Sequence, residues 1–251
     1  MSRVTFHLSR LAALLAVAAV GLQLFFVLRI AAMAWIDPAS TTFQRSEIAR
    51  IWRERGVVPW AQGWVAGDAI ADTLKRAVIA AEDAGFVDHG GIEWEAIERA
   101  WERNQRAEAA AQRQSARGGR SAPARQRPPR LVGGSTITQQ LAKNLFLTGE
   151  RSFARKAQEF VITWALERLL PKRRILEIYL NHVEWGEGVF GAQAAARHYY
   201  RVDASRLGPA AAARLAVMLP SPKLYERNPA SLYMAGRAAV ITSRMNDVQL
   251  P

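Results

Sequence analysis

Glu82 and Asp83 are adjacent acids that close an apolar helical run, Ala77 to Ala81, and Phe86, His89 and Gly91 follow closely. Carboxylates at a helix C-terminus lie at the unfavourable end of its dipole, and an aromatic neighbour strips water from them. Both effects raise a carboxyl pKa, which suits a general base. A solvated acidic helix end with a packed histidine accounts for the same residues equally well.

A second group is Gly133-Gly134-Ser135-Thr136-Ile137-Thr138-Gln139-Gln140, followed by Lys143 and Asn144. Glycines leading into a helix N-terminus leave backbone N–H groups free for an anion. Thr136 and Gln139 have capping-box spacing. Ile137, Leu141 and Leu145 form an apolar seam, which leaves Gln139, Gln140, Lys143 and Asn144 for a polar face. Amides suit sugar hydroxyls, and lysine suits phosphate. The spacing is not that of a Walker loop. From these residues alone, a capped amphipathic helix with a wet face is the simpler account.

The third group is Arg151, Arg155, Lys156 and Glu159. Cations in the first turn of a helix oppose its dipole, and arginine matches a diphosphate. The spacing of Arg155 and Glu159 also fits a plain i, i+4 ion pair. The face that follows, Phe160, Val161, Trp164, Leu166 and Leu169, reads as core.

These groups need a scaffold, and the chain suggests a helical one. Of 251 residues, 50% are hydrophobic and 22% charged, a globular composition. There is no cysteine, which excludes disulfides, thiolate metal sites and a cysteine nucleophile. Lys and Arg total 34 against 22 Asp and Glu, a net charge of +12 that favours a polyanionic partner. The run from Asp68 to Asp83, the segment Ile92–Arg103, and the stretches Lys172–Val183, Val189–Tyr200, Pro209–Leu219 and Ser231–Val248 all read as helix. Ser152 can cap another that ends by Pro171. The expected class is mainly α.

Leu11 to Leu28 contains no charge and one polar residue, Gln23, long enough for a membrane span. Ala32-Met33-Ala34 has the form of a cleavage site, but the apolar run exceeds that of a signal peptide. Arg3 and Arg10 keep the N-terminus cytoplasmic. The expected layout is a tail at 1–10, an uncleaved single-pass anchor at 11–36 in the cell inner membrane, and a periplasmic domain at 37–251. Residues 104–130 hold seven Arg and one Glu with several Gly and Pro, and read as a mobile insertion whose first residues extend the preceding helix. No aromatic residues are interleaved there for base stacking, so nucleic acid is not the expected partner.

The blocks EDAGFVDHGG, GGSTITQQLAKNLF, RSFARKAQE and KRRILEIYLNHVEWGEGVFGAQAAARHYY occur in that order. Together they resemble the motifs of the peptidoglycan glycosyltransferases, glycosyltransferase family 51, over roughly Leu74 to Pro222. The resemblance implies a lysozyme-like, mostly helical fold with a hydrophobic jaw lobe that dips into the bilayer. It implies polymerisation of lipid II: an acceptor 4-hydroxyl attacks C1 of a donor, with inversion, and undecaprenyl diphosphate leaves. The chain ends too soon for a transpeptidase domain, so the monofunctional form is expected.

By the same resemblance, Glu82 is the general base and Glu159 the second essential acid. Asp83, Phe86 and His89 shape the surroundings of the base. Lys143 and Arg151 neutralise the donor diphosphate, with Arg155 and Lys156 as basic neighbours. Ser135, Gln139, Gln140 and Asn144 form the polar set facing sugar and phosphate. Glu177, Tyr179 and Asn181 match a structural motif, in which Glu177 braces the site from behind. No tightly bound cofactor is implied, although a divalent cation such as Mg or Mn at the diphosphate is compatible with the family. Lipid II, the growing glycan strand, the membrane and proteins of cell division or elongation are the implied partners. Gln158 stands where some relatives carry a lysine, and the insertion has no family role. A lytic glycosidase also uses two carboxylates, and a non-catalytic scaffold is a third class. The cation cluster and anchor favour polymerisation over the first, and the intact acids argue against the second.

Overall fold

The computed structural model describes residues 3–117, 134–150 and 152–251. It is mainly α, as the sequence suggests, with eleven α-helices and a small sheet among the described residues. Arg151 and residues 118–130 of the insertion, on which expectations were placed, lie outside them.

Helix α1 (Arg3–Ala32) includes His7–Ala32, long and apolar enough to cross a membrane, with mean hydropathy 2.6. Leucines and valines from Leu11 to Leu24 are exposed along it, whereas Phe26, Ile30 and Met33 are buried against the rest of the protein. The Phe26 ring meets Phe146 edge to face at 5.3 Å, and Arg29 lies over the same Phe146 ring. The Met33 carbonyl accepts from Arg174 Nε at 2.8 Å. This helix is docked at its C-terminal end as well as tethered.

Helix α2 (Thr42–Arg55) had no counterpart in the sequence reading; its apolar periodicity is faint. Its ends are nevertheless well marked, by a Thr41/Gln44 capping box and by Gly56 in the left-handed region. The run from Asp68 is not one helix. A 3₁₀ turn at Gly67–Ala69 precedes extended Ile70 and Ala71, and α3 runs Asp72–Glu82. Leu74, Ala77, Val78 and Ile79 bury its inner face.

Helix α4 (Trp94–Arg117) continues well beyond Arg103, so residues 104–117 of the expected insertion are helical. Alanine, glutamine, glutamate and arginine there are good helix formers, and an i, i+4 Glu102–Arg106 ion pair adds to them. Helix α5 (Ile137–Phe146) carries the expected capping box, with Ile137, Leu141 and Leu145 buried. Helix α6 (Phe153–Leu169) is capped by Ser152.

The expected core face of α6 holds at Leu166 but not at Val161, Trp164 and Leu169. Val161 is 47% exposed, Trp164 60% and Leu169 39%, while Ile162, Ala165 and Leu166 are buried. The helical period assigns the buried stripe to the Glu159 side, which turns Val161 and Trp164 outward.

Helix α7 (Lys172–His182) is followed by β2 (Glu184–Gly186) and β3 (Val189–Phe190). The segment expected as helix from Val189 is thus strand first. Gly191, at φ 83°, then turns the chain into α8 (Ala192–Tyr200). β3 pairs antiparallel with β2 and parallel with β1 (Ala61–Gln62). Gly188 closes the hairpin with φ 76°, and a Cβ there would lie 1.9 Å from the Pro59 carbonyl oxygen. Helices α9 (Pro209–Met218), α10 (Pro222–Arg227) and α11 (Leu232–Arg244) complete the chain. α9 packs between α3 and α11, and α5 packs against α2, α6 and α7. The end of α3 thereby meets the start of α5, and the last turns of α5 face the start of α6.

Candidate active site

Glu82 is the last residue of α3 and half-buried. Its Oε2 accepts from Gln140 Nε2 at 2.8 Å, and Gln140 Oε1 accepts from the Tyr179 hydroxyl at 2.9 Å. Burial raises the Glu82 pKa above its ordinary value, and the Asp83 charge adds to this. The Gln140 hydrogen bond and the charges of Arg237 and Lys143 oppose the rise. Its hydrogen-bond partner is a neutral amide, so the carboxylate keeps its basicity, in a setting that suits proton abstraction.

Asp83 does different work. Its Oδ1 lies 2.7 Å from His89 Nε2, and its Oδ2 accepts the Ile137 backbone N–H at 2.9 Å. The carboxylate therefore satisfies an open amide at the positive end of α5. His89 Nδ1 accepts from the Gly91 N–H at 3.0 Å, so its Nε2 carries the proton toward Asp83. Phe86 is fully buried, its ring under the Lys172 ammonium at 4.5 Å. Gly91, at φ 86°, is packed so tightly that a Cβ would fall 2.7 Å from Glu167 Cγ and 2.8 Å from Thr163 Cγ2. The Gly91 carbonyl accepts from Thr136 Oγ1 at 2.7 Å.

The polar set around α5 divides. Ser135 is exposed and lines a cleft of about 180 Å³ with Glu82, Asp83, Glu93, Arg99, Arg103, Gly134 and Thr136. Gln140 reaches Glu82 directly. Gln139, expected on the wet face, is only 2% exposed, because its side chain closes the capping box on Thr136. It is a structural residue of α5 rather than a sugar contact. Asn144 is half-buried on the turn after Gln140.

The cations gather around the second acid. Glu159 is 3% exposed; its Oε2 accepts from Arg155 Nη1 at 2.8 Å and its Oε1 is paired with Lys156. Lys156 also lies over the Phe160 ring at 4.9 Å, and Arg155 Nε is buried without a partner. Lys143 reaches solvent, yet the protein packed around its ammonium lowers its pKa. Arg155 and Lys156 add to that fall, while Glu159 and Glu82 oppose it. Lys143 thus links the two acids electrostatically.

Behind the site, Glu177 ties α7 to the Gly67 turn and to Arg174. Its Oε1 accepts from the Gly67 N–H and its Oε2 from Arg174, both at 2.8 Å. Asn181 holds Val65 through both its carbonyl oxygen and its amide, each at 2.9 Å. Tyr179, which the helical period turns to another face of α7, is the residue that reaches Glu82 through Gln140. Neither Tyr179's role nor the charge of Arg237 on Glu82 was foreseen. Arg237 stands outside every motif, and no sequence signal marks it.

A divalent cation needs open carboxylate oxygens. Asp83, His89 and Glu93 offer ligand atoms within 4.8 Å of one another, but both nitrogens of His89 and both oxygens of Asp83 are engaged. Each oxygen of Glu159 is likewise taken by a cation. These residues do not form a ready metal site.

A family model described as Transglycosylase matches residues 54–246, most of the chain and all of the geometry above. A Bordetella pertussis protein called "Biosynthetic peptidoglycan transglycosylase" is 50% identical over 218 residues, covering 87% of this chain and 84% of that protein. Proteins of the same name from Burkholderia thailandensis and Paraburkholderia phytofirmans are 51% and 48% identical. They cover 91% and 96% of this chain, and 82% and 92% of their own lengths. With its lysozyme-like helical domain and its acids and cations placed as described, the chain belongs to the transglycosylase family.

Proposed function

We propose that the protein polymerises lipid II into peptidoglycan glycan strands, the activity named for its relatives. The observation that carries this reading is the pairing of a basic, amide-held Glu82 with a cation cluster around Glu159, coupled through Lys143. Glu82 takes the proton of the acceptor 4-hydroxyl as that oxygen attacks C1 of the donor. Lys143, Arg155 and Lys156, with Arg151, meet the diphosphate whose negative charge grows as the C1–O bond breaks. Attack from the face opposite the leaving group inverts the anomeric centre. Glu159 fixes Arg155 and Lys156 so that they need not reorganise during the reaction. Ser135 and Asn144 offer hydrogen-bonding groups to the sugars.

The N-terminal helix supports an uncleaved single-pass anchor. Arg3 and Arg10 favour a cytoplasmic N-terminus and a periplasmic catalytic domain on the inner membrane. Exposed Val161 and Trp164 beside that helix suit the apolar margin of the bilayer, where a lipid-linked donor resides.

Labelled lipid II given to the purified full-length protein in detergent or lipid discs tests the reading. Long glycan is expected. Shortening of preformed glycan without synthesis would assign a lytic glycosidase instead, and no change in either substrate would assign a scaffold.

A further inference from the structure

Residues 153–160 of α6 carry Arg155, Lys156 and Glu159, yet no apolar side chain in that stretch is buried. Phe153, Ala154 and Ala157 are exposed, and Phe160 is half-buried, stacked on Trp94 with centroids 6.4 Å apart. Ile162, Ala165 and Leu166 fix only the later turns in the core. The early turns, on which the cations depend, need another hold.

Gln158 supplies it. Its Nε2 donates to Gln23 Oε1 at 3.0 Å, and Gln23 Nε2 donates to Gln158 Oε1 at 2.9 Å. Gln23 is the one polar residue between Leu11 and Leu28. In apolar surroundings an amide has few alternative partners, so a reciprocal pair is orientation-specific and resists sliding or rotation of either helix. The α1 side is itself held, by Phe26 on Phe146 and by the Met33 carbonyl on Arg174. Gln158 directly precedes Glu159, so a rotation of α6 that broke the pair would swing Glu159 and its two cations with it.

We infer that Gln23, a residue of the membrane helix, is a positioning residue for the donor site, acting through Gln158 on the first turns of α6. The anchor is on this account a working part of the enzyme. The inference rests on the polymerase reading of the site.

The test uses Gln23→Leu, Gln158→Leu and the double variant in lipid discs. Gln23→Leu keeps the span apolar, so insertion is unaffected. Each single variant should lower kcat about fivefold with little change in KM, the size expected for one interhelical amide pair. The double variant should be no worse than either single, because both remove one shared interaction. The absence of cysteine allows clean labelling. Spin labels at Gly21→Cys and Ala154→Cys, both exposed positions, should report one narrow distance in the parent and a broadened one in Gln158→Leu. Parent-like kcat in the single variants, multiplicative losses in the double, or an unchanged distance distribution would overturn the inference. Failure of the parent to make glycan would count against the polymerase reading, while the spin-label comparison would still decide whether the pair holds the helices.

Discussion

The two acids of the site sit in opposite surroundings. Glu82 has a neutral partner, Gln140, and burial raises its pKa. Glu159 is more deeply buried, but two cations close on it. A carboxylate left to a neutral amide and buried retains its appetite for a proton; one paired with a guanidinium and an ammonium fixes their positions. On the proposed mechanism identical side chains serve as a base and a strut, and the difference lies in their neighbours.

The comparison breaks most visibly at Glu82. Glu82→Gln should cut polymerisation by on the order of 10²–10⁴-fold while lipid II binding survives, since the amide keeps shape but accepts no proton. The same variant should melt no lower than the parent at neutral pH. The folded-state pKa of Glu82 is raised, so the ionised group costs stability once the pH exceeds its unfolded pKa. Glycan electrophoresis and thermal melting check the two halves. Near-parental synthesis would refute the assignment, and Asp83 could not inherit the role without releasing His89 and the Ile137 amide.

A smaller effect is expected at Glu159. Glu159→Gln removes the charge that fixes Arg155 and Lys156 and should slow polymerisation by about 10²-fold, as for loss of one preorganised electrostatic contact. The acid limb of the residual pH–rate profile should stay where the parent's lies. A displaced limb would make Glu159 the titrating group and reverse the roles.

The mildest change sharpens the contrast. The Gln140 hydrogen bond favours ionised Glu82, so Gln140→Leu should raise the Glu82 pKa further and move the acid limb of kcat to higher pH. Activity on that limb should fall about fivefold, the worth of one hydrogen bond. Tyr179→Phe, which frees Gln140 at its other end, should move the limb in the same direction by less. A limb moving to lower pH in either variant would contradict the proposed hydrogen-bond order.

What could be read in the sequence was local. The Thr136/Gln139 capping box, the Ser152 cap and the Ile137–Leu141–Leu145 seam follow from spacing within a few residues, and each stands in the structure. The same spacing misplaced Gln139, because a capping glutamine and a wet-face glutamine look alike until the turn around them is built. It also misassigned Val161 and Trp164: an apolar helix face can meet a core or a bilayer, and periodicity does not say which. Links between distant residues left no pattern at all. Tyr179 to Gln140, Arg237 toward Glu82 and Gln23 to Gln158 arise only when helices pack. Glu82 was legible as a candidate base; the surroundings that raise its pKa were not.

The two-armed carboxylate of Asp83 joins three segments of the site. One oxygen takes the His89 ring and the other the Ile137 amide, so the end of α3, the Gly91 turn and the start of α5 are tied at one group. Segments tied this way open together or not at all, as one cooperative unit. The Ile137 amide should therefore exchange with solvent deuterium only through an opening that also releases the His89 loop, far more slowly than the exposed Ser135 beside it. A substrate arriving beside Glu82 would therefore meet a loop that is already ordered, with little left to freeze on binding.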